Sequence, residues 1–142
     1  MKKYAVFILV LIFTCIIAVY AQSDDRFINA LRDCSPSYRE SDNINVNGNN
    51  VLSEKSLSGW NNGVCTYKES INFSGKQITT VCRFSKPQVQ EIISVADAYA
   101  LTLKYTNENI DLSSPEAVKN NPLAQVLNKY LQDKEVCSFE GL

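Results

Sequence analysis

The chain has no histidine. Every mechanism that turns on an imidazole is therefore excluded, from Ser-His-Asp and Cys-His nucleophilic catalysis to the usual histidine-bearing zinc site. Only five glycines occur in 142 residues, and no phosphate-binding glycine loop, G-x-S-x-G, H-E-x-x-H or EF-hand spacing is present. Nor is there an excess of positive charge: 14 Lys and Arg stand against 15 Asp and Glu, too few to neutralise a phosphate backbone, so nucleic acid is not an expected partner. What remains is the composition of a folded domain, 45% apolar and 20% charged, with one domain's worth of length.

The first 21 residues read as an export signal. Lys2 and Lys3 give a positive start, Tyr4 to Val19 is almost wholly apolar, and Val19-Tyr20-Ala21 places small residues at the positions a signal peptidase reads. Residues 1–21 are expected to be a signal peptide, with residues 22–142 forming a single exported α+β domain. The alternative is an uncleaved anchor, since Tyr4 to Ala21 is 18 residues, close to the shortest helix that spans a bilayer. Membrane contact is expected only through such a leader. Thr14 before Cys15 is not the small residue a lipidation site requires.

Past the leader four cysteines remain, Cys34, Cys65, Cys82 and Cys137, separated by 31, 17 and 55 residues. Structural zinc sites use closely spaced C-x2-4-C pairs, so these spacings point to two disulfides and to an oxidising setting, periplasmic or extracellular. No metal and no cofactor is expected.

Turn signals organise the chain. Ser23-Asp24-Asp25 starts a short helix whose face is Phe27, Ala30 and Leu31, and Cys34-Ser35-Pro36 ends it before an exposed polar stretch. Asparagine is dense from 42 to 63, with seven of the chain's 14, but Ile44, Val46 and Val51 alternate through it and Asn47-Gly48 marks a hairpin. Asn61-Asn62-Gly63 and Ser74-Gly75 then delimit strands from Val64 to Phe73 and from Lys76 to Ser85. A two-residue loop at Ser74-Gly75 pairs residues whose numbers sum to 149, which sets Cys65 opposite Phe84, Tyr67 opposite Cys82, Glu69 opposite Thr80 and Ile71 opposite Ile78. That face is nearly all apolar; Thr66, Lys68, Ser70, Asn72, Thr79, Val81 and Arg83 form the solvent face.

In this register Cys65 and Cys82 lie diagonally, near the limit for bridging, so each is expected to tie the sheet to a terminal segment. Cys34 with Cys65 and Cys82 with Cys137 is the favoured scheme; the exchanged pairing stays open.

Ser85-Lys86-Pro87-Gln88 carries a cap, an early proline and a capping-box glutamine, and the stripe Val89, Ile92, Ile93, Ala96, Tyr99, Ala100, Leu103 predicts a long helix buried on more than one side. After a polar loop at 107–113, Ser114-Pro115-Glu116 and Asn121-Pro122 each start a helical segment, the last with the face Leu123, Val126, Leu127, Tyr130 and Leu131. The expected fold is α+β: a short N-terminal helix, a three- or four-stranded antiparallel meander, and two C-terminal helices packed on one sheet face. That outline resembles the cystatin-like arrangement, but no Q-x-V-x-G inhibitory loop is present and an outline implies no function.

Trp60 beside Asn61 and Asn62, on a hairpin tip, is the candidate binding site, where a flat ring with amide neighbours can stack on a sugar or anchor a peptide. Read structurally, the same tryptophan caps the end of the sheet's apolar face. The one catalytic option is a carboxylate pair, Glu69 with Asp97, as in a hydrolase of the cell exterior; against it, Asp97 falls on the polar side of its helix and Glu69 can reach Lys55. Asn107 to Asp111 offers oxygen ligands without the order of a calcium loop, and Asn72-Phe73-Ser74 is a glycosylation sequon. The expected function is a non-catalytic binding domain for a protein or small ligand, with the carboxylate hydrolase and a membrane-anchored structural component of the envelope as alternatives.

Overall fold

The computed structural model describes residues 24–46, 49–73, 75–106 and 119–141. Helix α1, Asp24–Asp33, buries Phe27, Ile28 and Leu31. It stops because Cys34 takes a left-handed conformation, φ 47°, with the Ser35 N–H bonding Ala30 O at 2.8 Å and the Cys34 N–H bonding Leu31 O at 3.1 Å. This is the Schellman geometry, in which glycine is the usual left-handed residue. A cysteine there aims its sulfur into the sheet, where it bonds Cys65.

Five antiparallel strands follow in sheet order identical to chain order: β1 Arg39–Val46, β2 Asn49–Asn61, β3 Val64–Phe73, β4 Lys76–Ser85 and β5 Cys137–Glu140. The polar stretch expected to be exposed is thus an edge strand, β1, paired with β2 from Arg39↔Ser56 to Val46↔Asn49. The turn residues 47 and 48 lie outside the described residues. Asn62 and Gly63, φ 50° and 77°, make the β2–β3 turn with two successive positive φ values, the type I′ pattern that matches the twist of a hairpin. Between β3 and β4 the register is the one expected, with Cys65↔Phe84, Tyr67↔Cys82, Glu69↔Thr80 and Ile71↔Ile78.

Both disulfides form in the favoured scheme, Cys34–Cys65 with Cα atoms 5.8 Å apart and Cys82–Cys137 at 4.1 Å. The second joins direct partners on β4 and β5. The tail that Cys137 was expected to fasten is therefore a fifth strand.

Helix α2, Lys86–Thr106, begins with the Ser85 N–H bonded to Gln88 Oε1 at 2.8 Å, one half of a capping box. It departs from expectation further along. Only Val89 and Ile92 are fully buried, Ile93, Val95 and Ala96 pack partly, and Leu101 and Tyr105 are 54% and 86% exposed, so the helix leaves the core after its third turn. Helix α3, Pro122–Gln132, starts as its sequence requires: Asn121 Oδ1 accepts from the N–H groups of Leu123 and Ala124 at 2.9 and 3.1 Å, and Pro122 occupies the first turn. Its apolar face packs against α2 and β5. The segments expected at 107–113 and 114–118 lie outside the described residues.

The three helices share one core with the inner sheet face, built from Leu57, Cys65, Tyr67, Ile71, Ile78, Cys82 and Phe84. The outer face is more closely packed than a plain solvent face. Ser70 and Thr79, cross-strand partners, are nearly buried and hydrogen-bonded to each other at 3.1 Å, and Val81 is covered because β5 adds Ser138 beside it. Among the described residues no helix is long and apolar enough to cross a membrane. The fold is α+β, and the two disulfides are those of a protein of an oxidising, non-cytoplasmic compartment.

Candidate functional site

Trp60 stands at the end of β2, opposite Cys65, with Asn61 opposite Val64 and a bulge between Leu57 and Trp60. The bulge needs Gly59, whose φ of 81° is left-handed; a Cβ there would lie against the Pro36 ring. Because Cys65 is bonded to Cys34, the base of this tip is tied to the end of α1. The indole is 37% exposed and Asn61 and Asn62 are exposed. Lys86 Nζ lies 5.8 Å from the ring centroid, within cation–π range, so the tip presents an aromatic ring, two amides and an ammonium together. Lys86 went unnoticed in the sequence, although the 149 register already sets Ser85 opposite Val64 and so brings the first residue of α2 beside the tip.

The two carboxylates of the catalytic alternative serve different partners. Asp97 is half-exposed and ion-paired with Arg32 of α1. Glu69 is 2% exposed; it accepts from Ser53 Oγ at 3.0 Å and from Tyr67 Oη at 3.1 Å.

Around Glu69 the inner sheet face carries a polar cluster among the apolar side chains. Lys55, directly opposite Glu69 and 4% exposed, donates to Asp42 Oδ2 at 3.0 Å, and Tyr38 Oη donates to Glu40 Oε2 at 2.6 Å. Burial raises the Glu69 carboxyl above its ordinary range, opposed by the charge of Lys55 and by the bonds from Ser53 and Tyr67. Burial likewise raises the Tyr38 phenol, helped by its bond to Glu40. Two acids, Asp42 and Glu69, thus face one ammonium, while Glu40 is held by Tyr38. Sequence reasoning found Glu69 and Lys55 but not Asp42, Glu40 or Tyr38, because β1 shows no apolar alternation there to mark its inward side.

A separate surface contact joins the helices: Lys129 bonds Glu91 at 2.8 Å and Tyr130 Oη also donates to it, which lowers the Glu91 carboxyl. Among the described residues no group of three potential ligands could hold a metal. The loop with calcium-type oxygens, 107–111, lies outside them, as does Ser74 of the sequon, whose Asn72 is exposed. No protein-family model, no curated protein and no solved structure matches the chain, so any functional reading rests on its own residues.

Proposed function

We propose that the protein is a non-catalytic binding domain of the periplasm or extracellular medium, exported by residues 1–21 as a signal peptide, which holds a protein or small ligand at the β2–β3 hairpin tip through Trp60, Asn61 and Asn62. The observation that carries this reading is the braced yet accessible indole. A half-exposed tryptophan on a tip fixed by a type I′ turn and a disulfide loses little freedom when it is covered, which is the property that concentrates binding energy in aromatic anchors. Glu69, the acid considered for hydrolysis, is held inside by Ser53 and Tyr67, an arrangement better suited to stability than to contact with a substrate.

Trp60 is the only tryptophan, so its emission reports this site alone. The test compares wild type and Trp60→Ala on arrays of glycans and extended peptides, after circular dichroism has shown the same fold. A ligand that quenches or shifts the emission and binds the variant at least about tenfold more weakly supports the proposal. Equal binding by both proteins overturns it.

A further inference from the structure

The outer face of the sheet is ordered into rows by the strand registers. Arg39, Ser56, Lys68, Val81 and Ser138 are successive cross-strand partners in one row, and Ser41, Glu54, Ser70, Thr79 and Glu140 in the next. Where these rows cross β1, β2 and β3 they border a depression of about 440 Å3, with Arg39, Glu54, Ser56, Lys68 and Ser70 in its wall. That volume is of the size that takes a small ligand.

Of the charges bordering it, Glu40 and Lys55 are engaged by Tyr38 and Asp42, and the outward-facing Arg39, Glu54 and Lys68 are left to act on a ligand. Arg39 and Lys68 are exposed and stand two strands apart, roughly 10 Å between backbones, with the Ser56 hydroxyl between them. Both side chains are long enough to converge over Ser56. Glu54 lies diagonal to both, and among the described residues none of the three has an ion-pair partner. Beside them the Ser70 hydroxyl is fixed by its bond to Thr79.

Two cations that can close on one anionic group and, beside them, the oxygens of Glu54 as hydrogen-bond acceptors together describe a particular ligand chemistry. A simple anion would meet the cations and be repelled by Glu54. A neutral sugar would leave the cations without a counter-charge. A molecule with one carboxylate and adjacent hydroxyls satisfies all three, the carboxylate on Arg39 and Lys68 and the hydroxyls on Glu54 and Ser70.

We propose that this depression is a second binding site, for a sugar acid, formed by Arg39, Glu54, Ser56, Lys68 and Ser70. It shares no residue with the Trp60 tip and stands or falls independently of it. The test is a titration of the isotope-labelled, oxidised protein, followed by backbone amide shifts, with an oligosaccharide of alternating glucuronic acid and N-acetylglucosamine. A chito-oligosaccharide of equal length and inorganic phosphate at matched ionic strength serve as comparisons.

The acidic oligosaccharide is expected to shift amides at 39–41, 54–56 and 68–70. Arg39→Gln, Lys68→Gln and Glu54→Gln should each weaken binding read at these amides by about tenfold. These are surface side chains, and unperturbed spectra elsewhere will show that the variants fold. No shift at these amides overturns the proposal. So does an equal response to phosphate that strengthens in Glu54→Gln, which would mark a counter-ion site, or an equal response to the neutral oligosaccharide.

Discussion

Replacing Cys82 and Cys137 together by alanine opens a loop of 55 residues. In the chain-entropy account a loop of that length returns about 14 cal/mol/K to the denatured chain when released, or about 4.2 kcal/mol at 25 °C. A domain of about 120 residues melts with an entropy near 0.25 kcal/mol/K, so the melting temperature should fall by about 17 °C. Cys34 and Cys65 close a shorter loop, 31 residues, and their double alanine variant should lose slightly less, about 3.7 kcal/mol. Guanidinium unfolding under non-reducing conditions measures both. The denaturant slope should also rise in each variant, because a chain without the cross-link exposes more surface when unfolded. A loss below about 1 kcal/mol for Cys82→Ala with Cys137→Ala, at unchanged slope, would refute the reasoning. It would mean that the bridge does not restrain the denatured chain, and that β5 is held by its ladder and by the packing of α3 alone.

Glu69 makes stability depend on pH in a definite direction. Its carboxyl titrates above the ordinary value of 4.5 in the fold, so its contribution is complete below that value and is lost as pH rises through the raised one. The melting temperature of Glu69→Gln should therefore gain on that of wild type between pH 4 and pH 8, and a difference that stays constant with pH would contradict the burial argument. Gly141 follows β5 with φ 89°, and a Cβ there would collide with the Gln77 carbonyl. Gly141→Ala should accordingly lower stability by about 1–3 kcal/mol and speed amide exchange in Ser138 to Glu140, whereas unchanged exchange would show that the tail can shift. Asn121→Ala removes the cap of α3 and should lose about 1 kcal/mol in thermal unfolding, with Asn121→Asp close to wild type.

The parts of the fold that were legible are those where local chemistry and burial agree. Ser74-Gly75 fixed a register that only one parity could satisfy, because a slip by one residue would have set Ile71 opposite Gln77. Asn121-Pro122 supplied cap and first residue together. The fifth strand was not legible because Cys137–Glu140 is four residues with no alternation; its partner strand and its disulfide, both distant in sequence, make it a strand. The inward place of Asp42 was not legible for a similar reason. A lysine turned inward is tolerable only when carboxylates face it from both neighbouring strands, and those neighbours become visible only once β1 is known to pair with β2. At the candidate site the hairpin tip and its amides were legible from the turn signal. The exposure of the indole was not, because a lone tryptophan ending an apolar strand reads first as a cap on the sheet's inner face. The depression on the outer face needs three strands in register before its charges meet.

The cross-link between β4 and β5 also bears on the order in which the protein can mature. Three of the four bridging cysteines, Cys34, Cys65 and Cys82, precede Cys137 by 55 residues or more. A chain delivered from its N-terminus into an oxidising compartment presents three thiols before the fourth arrives, and any two of them can join. The β2–β3–β4 meander, complete at that stage, favours Cys34 on Cys65 and leaves Cys82 waiting at an open sheet edge. The segment carrying Cys137, delivered later, then closes both the sheet and the second bridge, so a chain cut short before Cys137 would carry a free thiol beside an unpaired strand, a form that invites cross-linking to another chain.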